Sequence, residues 1–532
     1  MARKTTKTGS SRKSSGSKRG RKPARGKGAL ARRVLLLGLD GATFDLMQPW
    51  AEQGLLPCFK ELLDTGARGL LRSAVPPTTP PAWATCITGL GPGSHGIYDF
   101  RASPLEDPNR GIVHSRHIKG EKLWQRLNAH GKRAAVINVP LTYPPEPLDG
   151  YMVTGMLTPG DEVDFTFPKQ LRHQLLDRVP DYRINVDIPQ YDTAFEEDAH
   201  AFLDIVKAMG RARGEAIRRF LVEEPCEFTF AVFVLPDRIQ HLFWKHLDEN
   251  DPLGRTPEGQ RIRAAAIEAY QELDRQMAAL LDTLSDDDLL MVVSDHGFGP
   301  TEAFFNVNHW LAEQDLLKLK TGSAVKKRLF FHAMDAGESK LVKGLLPRKL
   351  QREIRFRVRK TRSSTKDEFA DALDRDATRA LFVSVATQGI YIVGPGLAER
   401  ERIRDRLAAE LESLAGPDGR PLCDWVKPRE EVYAGPRAML APDLLFQARD
   451  YAILGRHHLG ARRLFDVATD LPIGFHRQHG ILLARGPGVA AGATIEEAGL
   501  EDVAPTICAA LGVPLAEQYE GRDLRADWGR KT

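Results

Sequence analysis

Three aspartates follow apolar runs in this chain, at places where they could share one edge of a sheet. Asp40 ends the run VLLLGL (34–39), Asp237 comes two residues after TFAVFVL (229–235), and Asp295 follows LLMVVS (289–294). Groups at the carboxyl ends of parallel strands converge on the crevice where ligands bind. A lone aspartate there reads as a turn residue or helix cap; each of these has company. Asp237 and His241 are four apart, so on one helical turn they face the same way and can grip one cation. Asp295 and His296 are adjacent, and Gly297 permits the sharp backbone turn that would aim both inward. His476, in GFHRQHGILLARGPG, falls in a loop just before another apolar run, with His479 three residues on as a competitor. Carboxylates with imidazoles and no thiolate suit Zn²⁺, or Mn²⁺, better than Ca²⁺. Asp40, Asp237, His241, Asp295, His296 and His476 suffice for two three-ligand sites with open positions.

A candidate nucleophile lies in PPTTPPAWATCITGLGPGSHG. Thr79 precedes Pro80-Pro81 and a helical run, which predicts a helix N-cap with proline in the first turn, where no backbone donor is lost. A hydroxyl there faces free N–H groups and the positive end of the helix dipole, favouring an alkoxide and a bound phosphate. Thr78 is the adjacent alternative. Gly91-Pro92-Gly93-Ser94-His95-Gly96 spells GxGxxG, but it follows a helix and contains proline, whereas a nucleotide fingerprint needs strand–turn–helix. It reads as a helix-terminating loop, with His95 structural. His246, His309, His457 and His458 have no partner at ligand spacing and read as surface or packing residues.

The elements that must position these groups are aliphatic runs alternating with helical patterns. AAVINV (134–139) and GILLA (480–484) join the three runs above. Runs apolar throughout, rather than alternating, belong to strands covered on both faces, so the expected class is α/β with a largely parallel sheet. The clearest helix is 258–284, where Ala266, Tyr270, Leu273, Met277, Leu280 and Leu284 form a core stripe. A helix after Asp502 (VAPTICAALG) should stop at Gly512.

A length of 532 residues suggests more than one domain. The net charge of +4 is unevenly placed: residues 1–33 hold 13 Lys and Arg and no acid, so the remaining 62 basic residues face 71 acidic ones. Such a Lys/Arg/Ser/Gly run cannot offset its ordering entropy by burial, so 1–33 reads as a disordered basic tail able to touch nucleic acid or an anionic surface. Residues 34–317 then form the first part of a catalytic α/β core, 318–366 a basic helical insertion or cap, and 367–532 the second part of the core. Five scattered cysteines without a CxxC pair fit a reducing compartment. Val34–Leu39 is too short for a signal-peptide core, and no apolar run approaches a membrane span. The expected location is cytoplasmic.

Taken together, GLDGATFDL, PPTTPPAWATCITGLGPGSHGIYDF, LPDRIQHLFWKHLD, VVSDHGFGP, FHRQHGILLARGPG and DVAPTICAALGVP…EGRDL resemble the alkaline phosphatase superfamily. The resemblance is nearest to its type I phosphodiesterase/nucleotide pyrophosphatase branch and runs from about Val34 to Leu524. It implies a doubly wound α/β core with helices on both faces and two zinc ions. One ion would be held by Asp237, His241 and His476, the other by Asp40, Asp295 and His296, with Thr79 Oγ bridging toward the second. The T-x-P register selects Thr79 over Thr78, and G-x-H-R-x-x-G selects His476 over His479. Nucleotide pyrophosphatases usually carry Asn after T-x-P; Ala82 and then Trp83 stand here, implying a different oxyanion contact. Sulfatases need Cys or Ser before x-P-x-R, and alkaline phosphatases proper use Ser with a nearby Arg; neither pattern is met. The expected function is two-metal hydrolysis of a phosphodiester, pyrophosphate or monoester through a phospho-threonine. The alternatives are a phosphomutase or phospho-transferase and, in a different class, an inert binding protein with a nucleic-acid-binding tail.

Overall fold

Four stretches of Val, Leu, Ile, Phe and Ala form the buried centre of the main sheet: β1 (Arg33–Leu39), β3 (Ala134–Val139), β6 (Phe228–Phe233) and β7 (Asp288–Val293). The computed structural model describes residues 28–107, 110–186, 196–320, 373–394, 396–459, 461 and 463–529. Residues 1–27 of the basic tail, and all but the first three residues of the 318–366 insertion, lie outside the described residues. Strands β2 (Ala67–Arg72), β4 (Gly150–Thr154), β5 (Thr166–Phe167), β10 (His479–Arg485) and β11 (Ala498–Gly499) complete nine strands in the order β11-β2-β10-β7-β1-β6-β3-β4-β5. A two-stranded ribbon, β8 (Gly297–Pro300) with β9 (Gly474–Arg477), stands beside it. The central pairs are parallel, whereas β10 runs antiparallel to both β7 and β2. Helices cover both faces, so the sheet is mixed and mostly parallel, as an α/β fold requires.

Five helices matter to the site or its support: α1 (Thr79–Thr88), α2 (Glu196–Glu223), α3 (Leu235–Leu247), α4 (Pro257–Leu281) and α5 (Val503–Ala510). The apolar stripe of α4 is buried as expected, but the helix ends at Leu281; Leu284 packs on the core from the turn beyond. The GPGSHG segment departs from expectation. After Gly89 closes α1 in the left-handed region, Pro92–His95 wind one further helical turn instead of a loop. Strand β2 (ARGLLR) was hidden in the sequence because every second residue is exposed, so it lacks the continuous apolar run of its neighbours. Among the described residues no helix is long and apolar enough to cross a membrane.

Between β8 and β9 the chain builds a second lobe. Strands Ala380–Phe382, Gly389–Ile392, Leu444–Gln447 and Trp425–Pro428 form an antiparallel sheet, and Ala303–Asn306 pairs with Ile453–Arg456 and Phe465–Val467. Phe305, Trp310, Phe382, Ile390, Leu407, Leu411 and Phe446 give this lobe a core of its own. It leaves the main sheet just after His296 and returns at Gly474, so it is joined to the chain between two candidate ligands.

Candidate metal centre

The turn after β1 ties the segments that carry the candidate ligands to one another. Asp40 N–H donates to Phe233 O at the end of β6 (2.9 Å), and Asp40 C=O accepts Asp237 N–H (3.0 Å). Gly41 has φ +70°, its N–H donates to Asp295 Oδ1 (3.1 Å), and its C=O accepts Gln240 Nε2 (2.8 Å). A Cβ here would stand 3.1 Å from the Phe298 ring and 3.3 Å from Asp237 Cα, so both conformation and space favour glycine. Strand β6 stops at Phe233, two residues earlier than expected, and α3 begins at Leu235. Asp237 therefore sits in the first turn of α3 with His241 one turn later on the same face. His476 is not in a loop: it lies on β9, opposite Phe298 of β8, and its strand continues through Gln478 into β10. Ser294 braces the last segment, donating to Ala42 O (2.9 Å) and accepting Ile481 N–H (2.8 Å).

The six side chains fall into two groups, Asp237/His241/His476 and Asp40/Asp295/His296, each with potential ligand atoms within 4.8 Å of one another. The rings of His296 and His476 stack with centroids 3.5 Å apart, so the two groups abut. All three imidazoles place Nδ1 on a backbone carbonyl: His241 on Gly474 O (3.3 Å), His296 on Gly297 O (3.1 Å) and His476 on Pro77 O (2.8 Å). A ring whose Nδ1 carries the donated proton presents Nε2 as a bare acceptor. His476 and His241 nevertheless bring their Nε2 atoms to 3.0 Å, two lone pairs facing each other.

The carboxylates show the complementary pattern. Each has one oxygen engaged and one buried oxygen without a hydrogen bond: Asp40 Oδ1, Asp237 Oδ1 and Asp295 Oδ2. These orphan atoms are the ones beside the bare nitrogens. Asp237 Oδ1 lies 3.2 Å from His241 Nε2 and 3.4 Å from His476 Nε2; His296 Nε2 lies 3.6 Å from Asp40 Oδ1 and 3.3 Å from Asp295 Oδ2. Ligands bonded at about 2.0–2.1 Å in a tetrahedral shell stand roughly 3.3 Å apart, so these separations fit the edges of such shells. Buried acceptors facing acceptors are costly unless a cation lies between them. The donor set thus fits two small divalent cations.

Electrostatics lead the same way. Burial and the charge of Asp237 push the Asp40 carboxyl well above its usual range, and burial and Asp40 do the same to Asp295. Burial opposes ionisation of Asp237, but the adjoining His241 ring and the Arg238 guanidinium outweigh it and hold this carboxyl well below the usual range. Burial lowers His296, and takes His476 down to about 4. The protein alone leaves this cluster short of positive charge, which divalent cations would supply.

Thr79 Oγ lies 3.4 Å from His296 Nε2, against the Asp40/Asp295/His296 group, and is buried. The expected N-cap assignment needs correcting. Thr78 is the N-cap, with extended φ/ψ, and its C=O accepts Ala82 N–H (3.1 Å); Thr79 is the first helical residue. Proline in both following positions fits this register, since neither has an N–H to lose. Thr78 N–H is bonded to Pro76 O (2.9 Å), and Pro80 and Pro81 have none, so Thr79 itself holds the first turn's remaining amide donor. Four residues on, on the same face, Trp83 Nε1–H donates to Asp40 Oδ2 (3.3 Å). Trp83 lies over Gly38 of β1, where a Cβ would approach the indole to 2.5 Å.

Of the remaining histidines, His479 is exposed at the start of β10 and belongs to neither group. His95 is fully buried, with Nε2 on Thr85 Oγ (3.0 Å) and Nδ1 accepting Ile97 N–H (3.1 Å). His309 pairs with Glu313 (3.2 Å), and His246 stacks on Phe243. Sequence reasoning missed the roles of Gly41, Trp83, Arg238, Gln240 and Ser294. The i,i+4 relation of Thr79 to Trp83 was an available signal; the others depend on contacts across more than fifty residues or on side-chain direction.

A family model described as type I phosphodiesterase / nucleotide pyrophosphatase matches residues 34–396, a span that holds Thr79 and five of the six clustered side chains. The chain belongs to that family. Ectonucleotide pyrophosphatase/phosphodiesterase family member 1 of Mus musculus is 24% identical over 315 residues, 56% of this chain but 27% of the mouse protein. The Homo sapiens protein of the same name gives the same identity and coverage. The match thus spans about a quarter of the length of these curated relatives. Among solved structures, phosphonoacetate hydrolase from Sinorhizobium meliloti 1021 in complex with phosphonoformate superposes with a TM-score of 0.51 at 15% identity, covering 90% of this chain and 95% of that one. That likeness is one of fold, and it agrees with the alkaline phosphatase-like α/β architecture expected from the sequence.

Proposed function

We propose that this family member hydrolyses phosphoric esters with two divalent cations and Thr79 as nucleophile. The observation that carries the reading is Thr79 Oγ at 3.4 Å from His296 Nε2, at the amino end of α1 and against two abutting sets of unpartnered donors. Asp237, His241 and His476 would hold one cation and Asp40, Asp295 and His296 the other, Zn²⁺ or Mn²⁺ by the chemistry of the donors. When bound, such a pair would neutralise charge on the phosphoryl group and lower the pKa of a coordinated hydroxyl or water.

Thr79 acts first. Its Oγ forms a bond to phosphorus as the ester oxygen leaves with the bonding electron pair, and the hydroxyl proton passes to solvent. The Thr79 amide is the donor remaining in the first turn of α1, and the helix dipole favours an anionic phosphoryl group at that end. A water molecule then displaces Thr79 Oγ, which recovers a proton, and the phosphate product departs. The Nδ1–carbonyl bonds of His241, His296 and His476 hold each imidazole in one orientation with Nε2 turned toward the carboxylates.

Activity toward bis(p-nitrophenyl) phosphate and p-nitrophenyl phosphate, measured on wild type and Thr79→Ala after metal loading, tests the proposal. Thr79→Ala should keep the fold and its bound metal while losing more than a thousandfold in kcat on whichever ester is cleaved, the scale expected when a nucleophile is removed. Hydrolysis by the variant at the wild-type rate refutes the nucleophile assignment. The ratio of the two wild-type rates assigns diester or monoester preference.

A further inference from the structure

The two donor groups are built alike but balanced differently. In each carboxylate one oxygen is engaged and the other is left for a cation, yet the engaging donor differs in charge. Asp40 Oδ2 takes a neutral indole N–H from Trp83 and Asp295 Oδ1 a neutral amide from Gly41. Asp237 Oδ2 instead takes the Arg238 guanidinium in a close ion pair through Nη1. Arg238 is itself nearly buried and locked in place: Nε and Nη2 donate to Asn185 Oδ1 (3.3 and 3.1 Å), and Nη2 touches Met156 Sδ (2.8 Å). Arg213 lies farther back, hydrogen-bonded to the backbone carbonyls of Val232 (3.0 Å) and Ile184 (2.6 Å) rather than to any of the three carboxylates.

Counting charge in contact, the Asp40/Asp295/His296 group offers a divalent cation two carboxylates. The Asp237/His241/His476 group offers one, already paired with a fixed positive charge. In a buried site a cation one carboxylate away weakens binding of a second cation, while the hydrogen bond keeps Oδ2 out of reach and leaves Oδ1 as the single ligand atom. We propose that Arg238 is a positioning residue that makes Asp237/His241/His476 the weaker and more exchangeable of the two cation sites. This rests on the reading that both groups hold divalent cations.

The test is a titration of the metal-free full-length protein with Zn²⁺ in competition with a chromophoric chelator. Wild type should take up two Zn²⁺ in steps at least tenfold apart in affinity, with Asp237→Asn removing the weaker step and Asp295→Asn the tighter. Arg238→Gln, which keeps an N–H donor without the charge, should tighten the weaker step at least tenfold and leave the tighter one in place, an internal check that the variant is folded. Arg238→Lys, which keeps the charge, should preserve the wild-type spacing. A purely structural role for Arg238 would loosen the weaker site in both variants. The inference is overturned if Arg238→Gln leaves the spacing unchanged or weakens the second step, or if the weaker step belongs to Asp295. Wild-type protein that binds no Zn²⁺ overturns the metal reading itself, and the inference with it.

Discussion

Asp40, Asp237 and Asp295 each divide their oxygens between a donor that fixes the carboxylate and an unbonded side turned toward an imidazole Nε2. For Asp40 the fixing donor is the Trp83 indole N–H, inside a pocket closed to water. Trp83→Phe preserves most of the ring and removes that proton, leaving a buried acceptor unpaired at a cost of about 1–3 kcal/mol. Losing an outer hydrogen bond to a metal ligand also weakens binding by roughly 10–100-fold. Urea denaturation together with Zn²⁺ competition should show both effects, and a variant indistinguishable from wild type in both would remove Trp83 from the site. The clustering of these six residues was readable because aspartate at a strand end, and acid and imidazole one helical turn apart, are chemically conspicuous. Their partners were not: whether Arg238 faces Asp237 or solvent depends on a rotamer set by Asn185 and Met156, which no spacing encodes.

Helix α1 joins the candidate nucleophile at its first residue to a buried histidine just beyond its end. Thr85 Oγ donates to Pro81 O (3.0 Å), so His95 Nε2–H must donate to Thr85, while Nδ1 accepts Ile97 N–H. A second proton on Nδ1 would face that amide, and burial already lowers His95 to about 3. An unfolded histidine takes its proton near pH 6.5, so between pH 6.5 and 3 the unfolded chain binds one proton more than the folded one. This group's contribution is therefore intact above pH 6.5 and is lost as pH falls, by about 2 kcal/mol between pH 7 and pH 5. Denaturant titrations at those two pH values should give a difference smaller by that amount in His95→Gln than in wild type; equal differences would show that His95 titrates normally in the fold. At this scale the sequence was a good guide to the strands that are apolar on both faces and to α4. It misled at Thr79 because a cap and a first helical residue can both be succeeded by proline, and the bond from Ala82 N–H to Thr78 O decides between them.

At the scale of the whole molecule, a main α/β sheet and a second lobe with its own core are joined through the ribbon that carries His476. The segments after β1 and β7 supply Asp40, Asp295 and His296, α3 supplies Asp237 and His241, and the ribbon β8/β9 that carries the second lobe supplies His476. That lobe was hard to foresee, since its strands are three or four residues long and interrupted by polar turns, below the length at which periodicity speaks. If the cluster of three buried carboxylates holds the proposed cations, global stability should depend on them. Free metal at a hundredfold over its Kd adds about 2.7 kcal/mol per site. Chelation should lower the thermal midpoint and added Zn²⁺ should restore it, and a midpoint insensitive to both would mean that the cluster holds no cation. The central claim, a covalent intermediate on Thr79, is tested most directly by mixing metal-loaded enzyme with a phosphate ester, quenching in acid within the first turnover, and locating the adduct by peptide mass spectrometry. A phosphoryl adduct is expected on Thr79, within the peptide that spans the start of α1, and none in Thr79→Ala. Full turnover with no adduct at any time, or an adduct on Thr78 that persists in Thr79→Ala, would contradict it.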